Sequence, residues 1–326
     1  MREPLATLDN HTPTLSFEQP IPRRLVHRAA NAEVFVTDGA RRDDNRFAVA
    51  AQWPRDHALY HPGRDRRHDP LLIAETVRQA LVYIAHRYQG VPHGHRFVGQ
   101  QTGFTITDAH ALRVRASPAA VVLDTRWTWC DPGSRRSRMR LDAALSIDDQ
   151  PCGHGWLTAT ALDERRYTMI RWRGHHPDPR PSTPSIATAV APEAVGRLRA
   201  KDSVIAATDS ATRWQLMIDP EHAILFDHAV DHVPLMVLLE GARQLGHLLV
   251  NRCARSSETA SLIGLQTDLL AFAELTEPIH LVLRSHHHDS AARQHTLHLN
   301  IEQQATPIAT LHSTWQTGTR PGPSQR

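Results

Sequence analysis

The sequence predicts an α+β protein made of two copies of one unit. Each copy is a long buried helix wrapped by an antiparallel meander of strands, and the two are related by a pseudo-twofold axis. Two observations predict this. First, the box His68–Asp69–Pro70 with Glu75–Thr76–Val77–Arg78–Gln79 recurs as His232–Val233–Pro234 with Glu240–Gly241–Ala242–Arg243–Gln244. The copies lie 164 residues apart by the histidine and 165 by the glutamate. That period is too long for a solenoid and suits a duplicated, fused domain. Second, each half runs one apolar segment of helical length and then a series of strand-like segments, which is an α+β order rather than α/β alternation.

The elements follow in order. Residues 1–22, with Pro4, Pro13, Pro20 and Pro22, read as a leader. Residues 34–36 and 46–52 read as strands. A helix is expected from Pro70 to about Tyr88. Proline suits the first turn because its missing N–H would be unpaired there anyway, and Asp69 supplies an N-cap. Its apolar residues (Leu71, Leu72, Ile73, Val77, Leu81, Val82, Ile84) go nearly all the way round, which marks a buried helix rather than an amphipathic one. Strands are expected at 96–107, 112–116, 120–130, 138–147 and 155–162, with turns at 131–133 and 148–151. The prolines of 174–192 mark a linker between a unit at 23–173 and a unit at 193–316. The second unit repeats the plan. Strands fall at 203–208 and 213–218, the helix at 234–251, and further strands at 262–270, 279–285, 295–301 and 308–316, before a tail at 317–326.

Composition excludes several classes. Hydrophobic residues make up 40% of the 326, enough for two cores. No apolar run of about 18 residues predicts a membrane span, and residues 1–19 lack an apolar signal core, so a soluble cytoplasmic protein is expected. The three cysteines, Cys130, Cys152 and Cys253, form no C-x-x-C pair, which argues against a disulfide framework or a cysteine zinc site. His286–His287–His288 point to alternate faces of a strand, so no metal site is expected. A net charge of +3 does not call for nucleic acid. The clusters Arg64, Arg66, Arg67 and Arg135, Arg136, Arg138, Arg140 read either as solvated basic faces or as a docking patch for an acidic partner. His57 and His222 recur at matching positions, to line a site or to pin a loop. Trp127, Trp129, Trp156 and Trp172 fall in strand-like stretches and read as core rather than as a ligand platform.

The repeated helix carries the chemistry. At 100° per residue, Glu240, Arg243 and Gln244 share one face, as do Glu75, Arg78 and Gln79. Ionisable groups on a buried helix are costly unless paired. Two readings are open: a self-satisfied Glu/Arg pair, or a carboxylate whose pKa burial raises until it serves as a general base. The His-x-Pro loop sets an imidazole beside free N–H groups at a helix N-terminus, where a developing oxyanion can be held. Together these suit acyl transfer from a thioester.

A His-containing loop and then Pro and Glu on an apolar helix, wrapped by a meander, resemble the hotdog fold. The paired boxes, with Arg24–Leu25–Val26–His27–Arg28 and Arg46–Phe47–Ala48–Val49, resemble the A-factor biosynthesis (AfsA-type) tandem hotdog family from about residue 22 to 316. The resemblance implies two tandem hotdog domains with acyl sites between the halves. It implies transfer of a β-ketoacyl group from acyl carrier protein to the hydroxyl of dihydroxyacetone phosphate, toward a γ-butyrolactone signal, with no cofactor. Glu240 and Arg243, then Glu75 and Arg78, become the expected catalytic residues. His232, Pro234, His68, Gln244 and Gln79 become the expected substrate contacts, with N–H groups near Pro234 and Leu235 holding the thioester oxygen. Hotdog dehydratases carry a histidine about 14 residues before the glutamate; Phe226 stands there, with His228 and His232 nearest. The alternatives are a thioesterase or dehydratase-like enzyme, or a silent acyl-ligand binder. A monomer acting as a pseudo-dimer, or a homodimer, is expected.

Overall fold

The computed structural model describes residues 14–63, 65–131, 137–172, 187–253 and 258–319. The first half runs β1 (Val36–Arg41), β2 (Arg46–Trp53), α1 (Leu71–Arg87), β3 (Arg96–Ile106), β4 (Ala119–Trp129), β5 (Arg138–Ile147), β6 (Gln150–Leu162) and α2 (Glu164–Trp172). The second runs β7 (Ile205–Ala207), β8 (Arg213–Leu216), α3 (Leu235–Cys253), β9 (Glu258–Leu269), β10 (Ile279–Asp289), β11 (Gln294–Gln303) and β12 (Thr306–Thr319).

The twelve strands form one sheet in the order β1-β2-β4-β5-β6-β3-β9-β12-β11-β10-β8-β7. Read outward from the β3–β9 seam, the two halves have the same order. This is a pair of hotdog units joined edge to edge across a pseudo-twofold axis. At the seam Gln101 pairs with Asp268 and Thr105 with Gly264, in antiparallel register. Gly103 is required there, because a Cβ would lie 2.6 Å from the Leu265 carbonyl oxygen and would strike the Trp156 ring. The sheet buries alternate residues, as along β4, and curls around α1 and α3. Nearly every residue of α1 is buried, polar ones included, as its all-round apolar pattern requires.

Matching hairpins close the two units. Asp148 and Asp149 join β5 to β6 with φ of 47° and 63°, and Gln304 and Ala305 join β11 to β12 with φ of 50° and 60°. Two successive positive-φ residues make the type I′ turn that fits the twist of a two-residue hairpin. Pro151 therefore lies inside β6 and not in the turn. It sits opposite Ser146 at a bulge, where a missing ladder N–H is tolerated.

Three expectations are corrected. Residues 112–116 form no strand; the segment contributes an isolated bridge, Arg67 to Arg113. Instead the Leu112 carbonyl accepts the His68 N–H at 2.8 Å and fixes the loop before α1. Residues 317–319, assigned to the tail, continue β12 and pair with β9. Helix α2 was not foreseen, because its charge hides its N-cap: Asp163 accepts the Arg166 N–H at 2.8 Å. Residues 132–133 of the expected turn and 174–186 of the expected linker lie outside the described residues.

Candidate active site between the halves

The box glutamates are buried and fully engaged. Glu240 is completely buried. It accepts from Arg197 Nε at 2.7 Å and Nη2 at 2.5 Å, from Arg243 Nε at 3.2 Å and Nη2 at 3.1 Å, and from Gln244 Nε2 at 2.5 Å. In the first half Glu75 accepts from Arg28 Nε at 3.0 Å, from Arg78 Nε at 2.9 Å and Nη2 at 2.8 Å, and from Gln79 Nε2 at 2.7 Å. Each cluster also reaches a carboxylate of the opposite half. Arg197 Nη1 donates to Asp69 at 2.8 Å, and Arg28 Nη1 lies 4.0 Å from Asp227. Two guanidiniums therefore meet two carboxylates in each cluster, which is what burial of these charges requires.

Of the two readings left open, the geometry favours the paired Glu/Arg group. Burial does push both carboxyls up. The charges and hydrogen bonds of Arg197 and Arg243 outweigh it and hold Glu240 well below the usual carboxylate range. Arg28 and Arg78 do the same for Glu75, down to about 2. With every lone pair engaged, Glu240 holds the two arginines in place and is a poor proton acceptor.

The two glutamines brace loops and offer nothing to a substrate. Gln244 Nε2 also donates to the Asp202 carbonyl at 2.6 Å, and its Oε1 accepts the Val204 N–H at 2.8 Å. Gln79 repeats this with the Glu33 carbonyl and the Phe35 N–H. His57 and His222 pin loops: Nδ1 of His57 accepts the Leu59 and Tyr60 N–H groups, and Nδ1 of His222 accepts those of Ile224 and Leu225.

A cavity of about 530 Å³ lies between the halves, within the ordinary range for small-ligand sites. The first half contributes His68, Asp69 and Pro70 at the start of α1, and the second contributes Arg197, Arg243 and His247. Leu262, Ile263, Trp315, Ile106 and Leu112 form its apolar wall. Arg243 Nη1 and both His247 ring nitrogens carry no hydrogen bond among the described residues. His232 and Pro234, expected beside Glu240, do not line this cavity. His232 Nδ1 instead pairs with Asp231 at 2.7 Å, and α2 holds that aspartate through the Tyr167 hydroxyl at 2.8 Å. The helix end that faces Arg243 is that of α1, and its first N–H, from Leu71, is taken by Asp69 at 2.9 Å. The proposed oxyanion donors near Leu235 are therefore out of place for this cavity.

Sequence reasoning missed Arg197, His247 and the cross-half role of Asp69. Arg197 had a signal: Val26-x-Arg28 recurs as Val195-x-Arg197. Among the described residues, no group of three or more His, Cys, Asp or Glu is placed to hold a metal ion. His286 contacts His295 on the next strand at 2.9 Å instead.

Three imidazoles, His68 buried and His27 and His247 partly buried, set an acid limit on the fold. Burial lowers His27, His68 and His247 to about 3, 4 and 3, with the nearby arginines adding to the effect for His27 and His247. Their folded pKa values lie below the unfolded 6.5, so the stability they allow is complete above pH 6.5 and is lost as pH falls toward 4. Glu75 and Glu240 add losses of the same sign below about pH 4.5. Near pH 5 each such histidine contributes a slope of at most about 1.4 kcal/mol per pH unit. Denaturant titrations across pH 7 to 4.5 should show that fall; a flat profile would contradict the burial of neutral imidazoles.

A tandem hotdog protein with a ligand-sized cavity at its interdomain seam is the class that this fold and site define. The chain belongs to the A-factor biosynthesis hotdog domain family, which it matches over residues 10–163 and 180–318. It is 39% identical over 233 residues to a 2-oxo-3-(phosphooxy)propyl 3-oxoalkanoate synthase of Streptomyces virginiae, covering 69% of this chain and 75% of that protein. It is 34% identical over 256 residues to a synthase of the same name from Streptomyces coelicolor, covering 76% and 79%. An acyl-ACP thioesterase from Bacteroides thetaiotaomicron superposes with a TM-score of 0.50 at 9% identity, over 82% of this chain and 98% of that one. That likeness is one of fold alone. No helix is long and apolar enough to cross a membrane, among the described residues.

Proposed function

We propose that the chain is an acyltransferase of the 2-oxo-3-(phosphooxy)propyl 3-oxoalkanoate synthase type, moving a β-ketoacyl group from acyl carrier protein to the hydroxyl of dihydroxyacetone phosphate. The observation that carries this reading is the cavity between the halves. It sets an apolar wall beside an arginine with an unused Nη1 and a neutral imidazole one helical turn further on.

Each residue then has a role. Leu262, Ile263 and Trp315 receive the acyl chain. Arg243 Nη1 binds the acceptor's phosphate, for which a planar guanidinium is suited. His247 takes the proton from the acceptor hydroxyl as its oxygen attacks the thioester carbon. Collapse of the tetrahedral intermediate expels the carrier thiolate, which recovers that proton from His247; the products are the ester and the free thiol. Glu240 and Arg197 act as positioning residues, with Asp69 tying Arg197 to the other half. Glu75 and Arg78 hold the matching structure of the first half. Both walls of the cavity come from one chain, so a single copy contains what a hotdog homodimer assembles from two.

Incubation with β-ketoacyl-carrier protein, with and without dihydroxyacetone phosphate, separates transfer from hydrolysis by mass spectrometry. The phosphorylated ester should form only with the acceptor present. Free β-keto acid in both reactions would reject transfer in favour of a thioesterase.

A further inference from the structure

Each unit opens on a four-residue 3-10 helix, Arg23–Val26 in the first and Pro192–Val195 in the second. Each helix ends on a left-handed residue, His27 or Gly196, and the arginine that clamps the box glutamate comes next. The two starts differ in charge. Where the second unit has Pro192 and Glu193, the first has Arg23 and Arg24. Glu193 lines the acyl cavity. Arg23 and Arg24 line a different one, of about 850 Å³, mostly on the first unit with His228 of the second on its wall.

The wall of this second cavity holds four arginines and four histidines against one carboxylate, Glu164. Arg96 already occupies that carboxylate at 2.9 Å. Arg23 Nη1 donates to the Ala29 carbonyl, and neither Arg23 nor Arg24 has a carboxylate partner among the described residues. Their charge is uncompensated at a concave surface, where the field is focused and anions concentrate.

We propose that this cavity is a phosphate-ester site separate from the acyl cavity, in which Arg23 and Arg24 hold the phosphate while the imidazole cluster around His27 takes up a proton. The hydrogen bonds define where that proton goes. His86 Nδ1 donates to the Val91 carbonyl at 2.8 Å, so its Nε2 is an acceptor, and His27 Nε2 donates to it at 2.9 Å. Nδ1 of His27 is then the atom left to be protonated. The groups around His27 come from every neighbouring element: Arg28 beside it, Arg78 and His86 on α1, His93 on the following loop, His228 and its partner Asp227 from the second half, and the Phe97 ring on β3. Glu75 lies beyond the arginines, already neutralised by them. Burial, His86, Arg78, His228 and His93 together hold His27 at about 3. A bound dianion opposes all of the charge effects and raises that value, so entry of the anion and gain of the proton are linked.

Two sources share this chemistry: the phosphodiester of a carrier's phosphopantetheine arm and the phosphomonoester of a small acceptor. The test uses the full-length protein, calorimetry at pH 6.5 with inorganic sulfate, a dianion that does not itself titrate there, and two buffers of different ionisation heat. Saturable binding with net proton uptake is expected. The pair Arg23→Gln and Arg24→Gln should weaken it tenfold or more. His27→Asn, which tolerates left-handed backbone, should bind without the proton uptake. Displacement of sulfate by phosphopantetheine identifies the carrier arm, and displacement by dihydroxyacetone phosphate identifies the small substrate; either supports a phosphate-ester site. Displacement by neither, no saturable binding, or equal affinity in the double variant overturns it. The product assay above reads the acyl cavity, so its result stands or falls independently of this one.

Discussion

Glu240→Gln should lower both stability and activity, and Glu75→Gln should lower stability alone. Each substitution removes one negative charge from a buried group of two guanidiniums and two carboxylates. Leaving a buried charge without its partner costs about 3–5 kcal/mol, a fall in Tm on the order of 10 °C. From the box alone, Glu240→Gln would be expected to stop ester formation and leave the fold intact; the pairing with Arg197 and Arg243 changes that expectation. The activity effects should differ because the clusters sit in different surroundings. Arg243, held by Glu240, lines the acyl cavity, whereas of the two arginines held by Glu75 only Arg28 reaches a cavity, and that is the second one, away from the acyl wall. Below its Tm, Glu240→Gln should lose roughly 10²-fold in kcat/KM through misplaced groups, and Glu75→Gln should stay within about threefold. Equal activity losses would show that the first half is also a working site. An unchanged Tm in both would show that neither glutamate is the buried counterion described.

The fold could be read from the sequence because two of its determinants are local and repeated. The all-round apolar pattern of residues 71–84 requires burial wherever the helix lies, and the duplicated box fixes where the second helix must be. The seam between β3 and β9 was not legible, since Gly103 marks a close approach only once the partner strand is known. The site was half legible. Helix geometry alone places Glu240, Arg243 and Gln244 together. It says nothing of Arg197, 43 residues earlier, or of Asp69, which is 128 residues from Arg197 and on the opposite half. Arg197, together with Arg243, decides the sign of the glutamate's pKa shift. Without them burial predicts a raised value and a general base; with them the carboxylate is a fixed counterion. His232 shows the same limit. Its motif position is right for a helix N-terminus, yet the unforeseen α2 claims it through Tyr167 and Asp231, and the α1 end with His68 faces Arg243 instead.

With Glu240 saturated, the proton acceptor must be another group on the cavity wall, and His247→Asn tests that step. The variant should lose about 10²–10⁴-fold in kcat, the usual contribution of a positioned general base, with little change in KM because Arg243 and the apolar wall remain. Its stability should become less sensitive to acid, since one partly buried neutral imidazole has been removed. The pH profiles give the sharper reading. In the free protein, burial together with Arg243 and Arg197 lowers His247 to about 3. The histidine should therefore leave no acidic limb in kcat/KM near its ordinary value of 6.5. A phosphate on Arg243 offsets the cationic part of that shift, so the pKa rises in the complex. The acidic limb of kcat should accordingly lie at higher pH than that of kcat/KM. A residue that only packed against Trp315 would produce no such separation between free enzyme and complex. If His247→Asn turns over within about threefold of the parent chain, or leaves the two limbs where they were, the base must be sought elsewhere on the wall, with His68 the next imidazole in line.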